Sequence, residues 1–236
     1  MNKIRLSIIL LISVCLNGFA QTTASEHLQK GDEYYRQKNF DKAIEQYDKA
    51  ITKKPDFAKA YINKGLALEF KRFFNEAIDN YNKLLNIFPN HTQALTRRGI
   101  TFIKIQKWVE AIIDLDKANK QEPYNAQILC NLGIGKVRTK DLSGISDLNE
   151  SIKLDPSSYE AYFNRGLARV MTKENESAIN DFEKAIELKP DFGEAYFSIG
   201  MAKYQQGDKF KACMYWKMSI EKGYKRAQAT IDQKCN

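Results

Sequence analysis

Histidine is nearly missing from the 236 residues, with His27 and His91 the only two. A His-based zinc site or a Ser-His-Asp triad needs converging imidazoles or one imidazole beside a nucleophile and an acid. Two isolated histidines disfavour both, and no other residues are expected to hold a metal or a cofactor. Proline is scarce at five and cysteine at four, while acids (29) fall short of bases (37), for a formal charge of +8. The hydrophobic share of 43% is too high for a disordered chain. Long apolar runs are lacking as well. The one candidate, Leu6 to Leu16, is broken only by Ser7 and Ser13, and as a helix it rises about 16 Å, short of a roughly 30 Å hydrocarbon core.

That run follows Lys3 and Arg5 and precedes Gly18-Phe19-Ala20. A basic start, a short apolar centre and small residues before a cut make a secretory signal peptide over residues 1–20, with Gln21 as the new N-terminus. Its removal takes two positive charges and no negative one. The rivals are an uncleaved anchor, for which the run is short, and a lipid anchor on Cys15, which Val14 precedes where a small residue is usual. The expectation is an exported protein, periplasmic or extracellular, without a membrane span in the mature chain.

What is present is a period. Prolines stand at Pro55, Pro89, Pro123, Pro156 and Pro190, spaced 34, 34, 33 and 34. Glycines keep the same beat at Gly31, Gly65, Gly99, Gly133, Gly166 and Gly200. A third column is small (Ala43, Ala77, Ala111, Gly144, Ala178, Ala212) and a fourth is bulky (Tyr47, Tyr81, Leu115, Leu148, Phe182, Trp216). Fixed periodicity of this length marks a repeat architecture. Phe57 to Phe70 and Glu76 to Phe88 carry the apolar i, i+3, i+4 spacing of amphipathic helices. Asp41 and Asn75 stand where second helices need N-caps. Each unit therefore reads as helix, turn, helix, proline, the proline ending the unit because it lacks an N–H and disfavours helix before it. Paired helices approach to about 8–10 Å only across small side chains, so the glycine column is expected to meet the alanine column at the crossing.

These residues resemble the tetratricopeptide repeat (TPR) family, whose small residue at position 8, Ala at 20, bulky residue at 24, small residue at 27 and Pro at 32 read here as Gly166, Ala178, Phe182, Ala185 and Pro190. The resemblance covers residues 24–222, in units starting near 24, 58, 92, 126, 159 and 193. Position 4 is aromatic at Tyr61, Tyr162 and Tyr196 but not at His27, Leu95 and Leu129. The fourth unit is one residue short near Lys140–Ser143, and Tyr224 stands where the sixth proline is due. The fold expected is all-α: a right-handed α-solenoid of about six helix-turn-helix units, closed by a capping helix over residues 223–236. The cap is read at Tyr224–Lys234, with Ala227, Ala229 and Ile231 to pack. Cys213 and Cys235, on either side of Gly223, can meet across such a hairpin as a disulfide; the alternative is two unrelated thiols. Cys130 reads as an inert core residue.

In this family the first helices line the concave wall, and the resemblance places positions 2, 5, 9 and 12 of each unit there. Position 5 is Leu28, Ile62, Thr96, Cys130, Phe163 and Phe197; position 9 is Asp32, Leu66, Ile100, Ile134, Leu167 and Met201; position 12 is Tyr35, Glu69, Ile103, Val137, Val170 and Tyr204. This largely aliphatic wall fits an apolar peptide or helix, with Phe163, Phe197, Met201 and Tyr204 as anchors; alternatively the side chains pack only on neighbouring repeats. The family's carboxylate clamp is absent, since Asn63 and Arg97 match it but Leu28, Asp32 and Gln93 do not. Asn63, Asn131 and Asn164 recur at position 6, where local hydrogen bonding is expected. Gly133-Ile-Gly135-Lys136 lacks the upstream glycine and preceding strand of a phosphate loop. Asn90-His-Thr92 fits a glycosylation acceptor, relevant in a eukaryotic host. The basic pairs Lys53-Lys54, Lys71-Arg72 and Arg97-Arg98 are dispersed, as on a solvated surface or one facing an anionic partner; export argues against nucleic acid. The expectation is a non-catalytic module holding a protein or peptide partner, an adaptor or assembly factor of the bacterial cell envelope. A structural spacer, or an enzyme on a helical scaffold, is the alternative.

Overall fold

The computed structural model describes residues 23–235. The signal peptide expected at residues 1–20, its cut after Ala20 and the alternative anchor Cys15 lie outside them. The described residues form thirteen helices and no strand: α1 (residues 23–36), α2 (Phe40–Lys53), α3 (Ala58–Phe70), α4 (Phe74–Ile87), α5 (Thr92–Lys104), α6 (Trp108–Asn119), α7 (Ala126–Arg138), α8 (Gly144–Leu154), α9 (Tyr159–Met171), α10 (Asn175–Leu188), α11 (Gly193–Gln205), α12 (Lys209–Glu221) and α13 (Ala227–Lys234). None is long and apolar enough to cross a membrane. They divide into two compact bodies, one ending at Lys107 and the other beginning at Trp108.

In both bodies the alternation of columns explains the packing. The small residues Ala43, Ala77, Ala178 and Ala212 are fully buried, as are the bulky Tyr47, Tyr81, Phe182 and Trp216 four positions later. Burying a large apolar side chain contributes about 1.5–3 kcal/mol. The glycine column faces that bulky column first. A methyl placed on Gly31 would lie 2.5 Å from the Tyr47 ring, on Gly166 2.6 Å from Phe182, and on Gly200 2.5 Å from Trp216. The ring at position 24 therefore lies nearest the glycine, and the expected approach to the alanine column is also present in the sixth repeat, where a Cβ on Gly200 would stand 3.0 Å from the Ala212 carbonyl oxygen. In the fourth repeat the backbones themselves meet. A Cβ on Gly144 would stand 2.7 Å from the Gly133 carbonyl oxygen, and one on Gly133 2.9 Å from that of Gly144.

Each turn from first to second helix hides a further period. Lys38, Arg72, Gln106, Lys140 and Lys173 all have φ between 58 and 65°, and Gly207 has φ 85°. All six occupy position 15 of their repeats. The left-handed residue lets two amides turn back onto the first helix: Arg72 N–H donates to the Glu69 carbonyl and Phe73 N–H to that of Leu68, both at 2.9 Å. Asn39 caps α2, accepting from the Lys42 amide, whereas Asp41 lies in the first turn; α4 follows Phe73 without a side-chain cap, so Asn75 lies inside the helix. The short fourth repeat loses its residue where expected. Successive i→i+3 bonds from Gly144 to Asp141 and from Ile145 to Leu142 replace the first turn of its second helix.

Within the N-terminal body α2 packs on α3, α3 on α4, α4 on α5, and α3 also on α5. Within the C-terminal body each helix packs on the next, while α9 also touches α7 and α11. First helices therefore form a layer of their own in each body. Asp181 of α10 fixes α9 by accepting from Arg165 Nε (3.0 Å) and Nη2 (2.6 Å) and from Arg169 Nη1 (2.8 Å).

The last helix, α13, packs on α12 and begins at Ala227, three residues later than expected. Gly223, at φ 87°, ends α12, and Tyr224 takes the missing proline's place with its ring 5.3 Å from Phe197. Ala227 is fully buried and Ile231 half-buried, but Ala229 is exposed. Cys213 and Cys235 are joined as a disulfide, their Cα atoms 5.7 Å apart.

Candidate functional site

At positions 5, 9 and 12 the first-helix layer of the C-terminal body is apolar, while position 2 carries Gln127, Glu160 and Glu194. Cys130, Val137 and Phe163 are buried; Ile134, Leu167, Val170, Phe197 and Met201 are half-buried; Tyr204 is exposed. Phe163, only 6% exposed, belongs to the core, with its ring 4.7 Å from Phe192 and 5.7 Å from Phe182. It supports the wall from behind. Phe197 packs between Trp216 and Tyr224, and Tyr204 lies against Trp216 at 5.6 Å with Lys234 Nζ 4.4 Å from its centroid. Leu167 and Val170 pack partly on the core around Phe182 and Ile134 on that around Leu148, and each keeps some of its surface open, as does Met201, beside exposed Tyr204. Burial pushes the Cys130 thiol up to about 11, so it is protonated and unreactive at neutral pH.

The N-terminal body presents a different face. Leu28, Ile62 and Thr96 are buried, Leu66, Ile100 and Ile103 half-buried, and between them sits a polar network. The Tyr47 hydroxyl (2.9 Å) and the Asn63 side-chain amide (2.7 Å) both donate to Oδ1 of Asp32. One repeat on, the Tyr81 hydroxyl donates to Oε1 of buried Glu69 at 2.8 Å, and Lys104 pairs with its Oε2 at 2.5 Å. Burial, reinforced by the adjoining carboxylates, pushes both tyrosines far above their ordinary range, so they remain donors. Asp32, Tyr35, Arg36, Tyr47, Asn63 and Leu66 line a cavity of about 250 Å³. Beside it, Tyr35 meets Phe40 and Phe70 edge-on, and those two rings stack at 5.3 Å.

Of the position-6 asparagines, Asn131 and Asn164 bond locally, to the Gln127 and Glu160 carbonyls. Asn63 does not, reaching instead to Asp32 in the preceding repeat. The Asp32 and Glu69 networks were not anticipated. A readable sign existed: the bulky column carries a hydroxyl only at Tyr47 and Tyr81, the two repeats whose first helix offers an acid at position 9 or 12.

Family models described as TPR repeat match residues 31–69 and 170–207, and models described as tetratricopeptide repeat match 58–91 and 194–224. Comparison with the curated proteins finds no match. Among solved structures, one described as MamA protein is 31% identical, with a TM-score of 0.59 over 72% of this chain and 94% of that one. The structure of YrrB, described as a TPR protein with an unusual peptide-binding site, is 21% identical at a TM-score of 0.62, over 80% of this chain and 97% of its own. The Cut9–Hcn1 hetero-tetramer of the APC/C covers 98% of this chain and 46% of that one, at 17% identity and a TM-score of 0.77. These likenesses identify the fold as the all-α repeat solenoid.

Proposed function

We propose, from the premise that the chain belongs to the tetratricopeptide repeat family, that it is a non-catalytic module whose first-helix layers bind a protein or peptide partner. The observation that carries this reading is the C-terminal face, where Ile134, Leu167, Val170 and Met201 remain half-buried beside exposed Tyr204. An apolar strip of this kind, already supported from behind by Phe163 and Phe197, gains free energy by covering itself with a partner's apolar side chains. The peptide-binding site named for YrrB lends the reading support at the level of fold. Export, from the residue pattern of the first twenty positions, makes the partner a component of the bacterial cell envelope, where the chain acts as adaptor or assembly factor.

Charge insertion tests the face. Leu167→Glu and Met201→Glu, each at a half-buried position of that face, are expected to abolish co-purification of the partner while leaving the helical circular dichroism signal intact. Unchanged co-purification puts the contact elsewhere, and a chain that captures nothing even unaltered acts as a spacer. Fractionation with N-terminal sequencing checks the export reading, with Gln21 the expected first residue and a retained Met1 the contrary one.

A further inference from the structure

Two tyrosine–carboxylate pairs stand one repeat apart in the N-terminal body, and they differ in one respect. Tyr81–Glu69 is completed by a cation, Lys104 Nζ, on the carboxylate oxygen that the tyrosine does not use. Tyr47–Asp32 has no such cation. Both of its hydrogen bonds, from neutral donors, fall on Oδ1, and among the described residues Asp32 has no ion-pair partner. Arg36, one turn further along α1, lines the same cavity without lying within ion-pair distance of Asp32.

The cavity around Asp32 holds about 250 Å³, below the roughly 300–1,000 Å³ of clefts that take whole small ligands. It has room for one long side chain. Its walls suit a particular one: Leu66 and the half-buried ring of Tyr35 offer apolar surface, as the methylene stem of lysine or arginine requires, and an aromatic ring favours a nearby cation. At its side waits a carboxylate already oriented by two donors, so little ordering cost remains on binding.

We infer that this cavity is a receptor for a lysine or arginine side chain of the bound partner, with Asp32 supplying the counter-charge that Glu69 supplies to Lys104. The assignment rests on the partner-binding reading above and adds a chemical demand to it: the segment crossing the N-terminal body carries a basic residue. Position 9 is thus a charge-reading carboxylate in the first repeat alone, at Asp32, and an aliphatic or methionine side chain at Leu66, Ile100, Ile134, Leu167 and Met201.

Titration of the full chain with Nα-acetyl-lysine N-methylamide tests this, with the side-chain amide of Asn63 observed by ¹H–¹⁵N NMR. The norleucine and glutamate analogues serve as neutral and anionic probes. The lysine probe is expected to bind at least about ten-fold more tightly than norleucine, in line with a charge-assisted hydrogen bond. Asp32→Asn retains an acceptor for Tyr47 and Asn63, so the fold is kept, and it should erase that ten-fold preference. Equal response to norleucine overturns the proposal, because the cavity then reads shape alone. A tighter glutamate complex overturns it in favour of Arg36. No response to any probe up to about 10 mM, the weak end of useful affinity, overturns it too. Co-purification through Leu167 and Met201 in the other body stands apart from all of these outcomes, so the general binding reading survives or fails separately.

Discussion

The two bodies are built on one 34-residue plan and yet offer different surfaces. In the N-terminal body the bulky column ends in hydroxyls, and those hydroxyls hold carboxylates on the first-helix face. In the C-terminal body the same column is Leu115, Leu148, Phe182 and Trp216. There the only polar reach is the Trp216 indole N–H, which donates to the Phe197 carbonyl at 3.2 Å and leaves the face apolar. The contrast shows that the chemistry of a repeat's exposed helix is decided from behind. A side chain of the second helix either supplies a donor that makes a half-buried acid tolerable or does not.

The contrast can be broken at several points. The largest effect is expected at the C-terminal end, which among the described residues alone is tied by a disulfide. Cys213→Ser with Cys235→Ser should lower stability by about 3 kcal/mol on the chain-entropy account of a loop of this size, read by urea denaturation of the oxidised and variant chains. Next comes the reciprocal glycine–glycine contact of the fourth repeat. Gly144→Ala pushes a methyl against the Gly133 carbonyl and should cost about 2–3 kcal/mol by overpacking.

The columns themselves can then be exchanged. Phe182→Tyr places a hydroxyl in the C-terminal body with no acid to receive it, at a cost of about 2 kcal/mol. Adding Leu167→Asp recreates the pairing of Tyr47 with Asp32, and a double-mutant cycle should return a favourable coupling of about 1 kcal/mol. Zero coupling would mean that the two columns act independently. The smallest effects belong to the turns. Arg72→Gly relieves a left-handed arginine and should stabilise the chain by about 1 kcal/mol, while Gly207→Lys should destabilise it by a similar amount.

Recurrence made the fold legible. Proline, glycine, alanine and bulky columns locate every repeat, and even the missing residue of the fourth falls where the spacing puts it. Single positions were harder to read. Asp41 and Asn75 look like N-caps, but the left-handed residue at position 15 moves the helix start earlier, to Phe40 and Phe74. That turn carries no sequence mark, because five of its six residues are lysine, arginine or glutamine, not the glycine that signals such geometry. On the candidate site, periodicity assigns Phe163 and Met201 to one wall, but depth depends on neighbouring repeats, and Phe192 and Phe182 cover the former. In the sequence Asp32 is only a departure from the family pattern, because its two donors come from the second helix and from the next repeat and no local spacing joins them.

Partner contact through the first-helix layer is most directly measured by a photocrosslinking side chain placed at Met201 in intact cells, compared with the same group at Lys184 on the second helix α10. The account predicts a discrete adduct from Met201 that Leu167→Glu removes, and none from Lys184. Adducts from Lys184 alone, or from both positions regardless of Leu167→Glu, would contradict it.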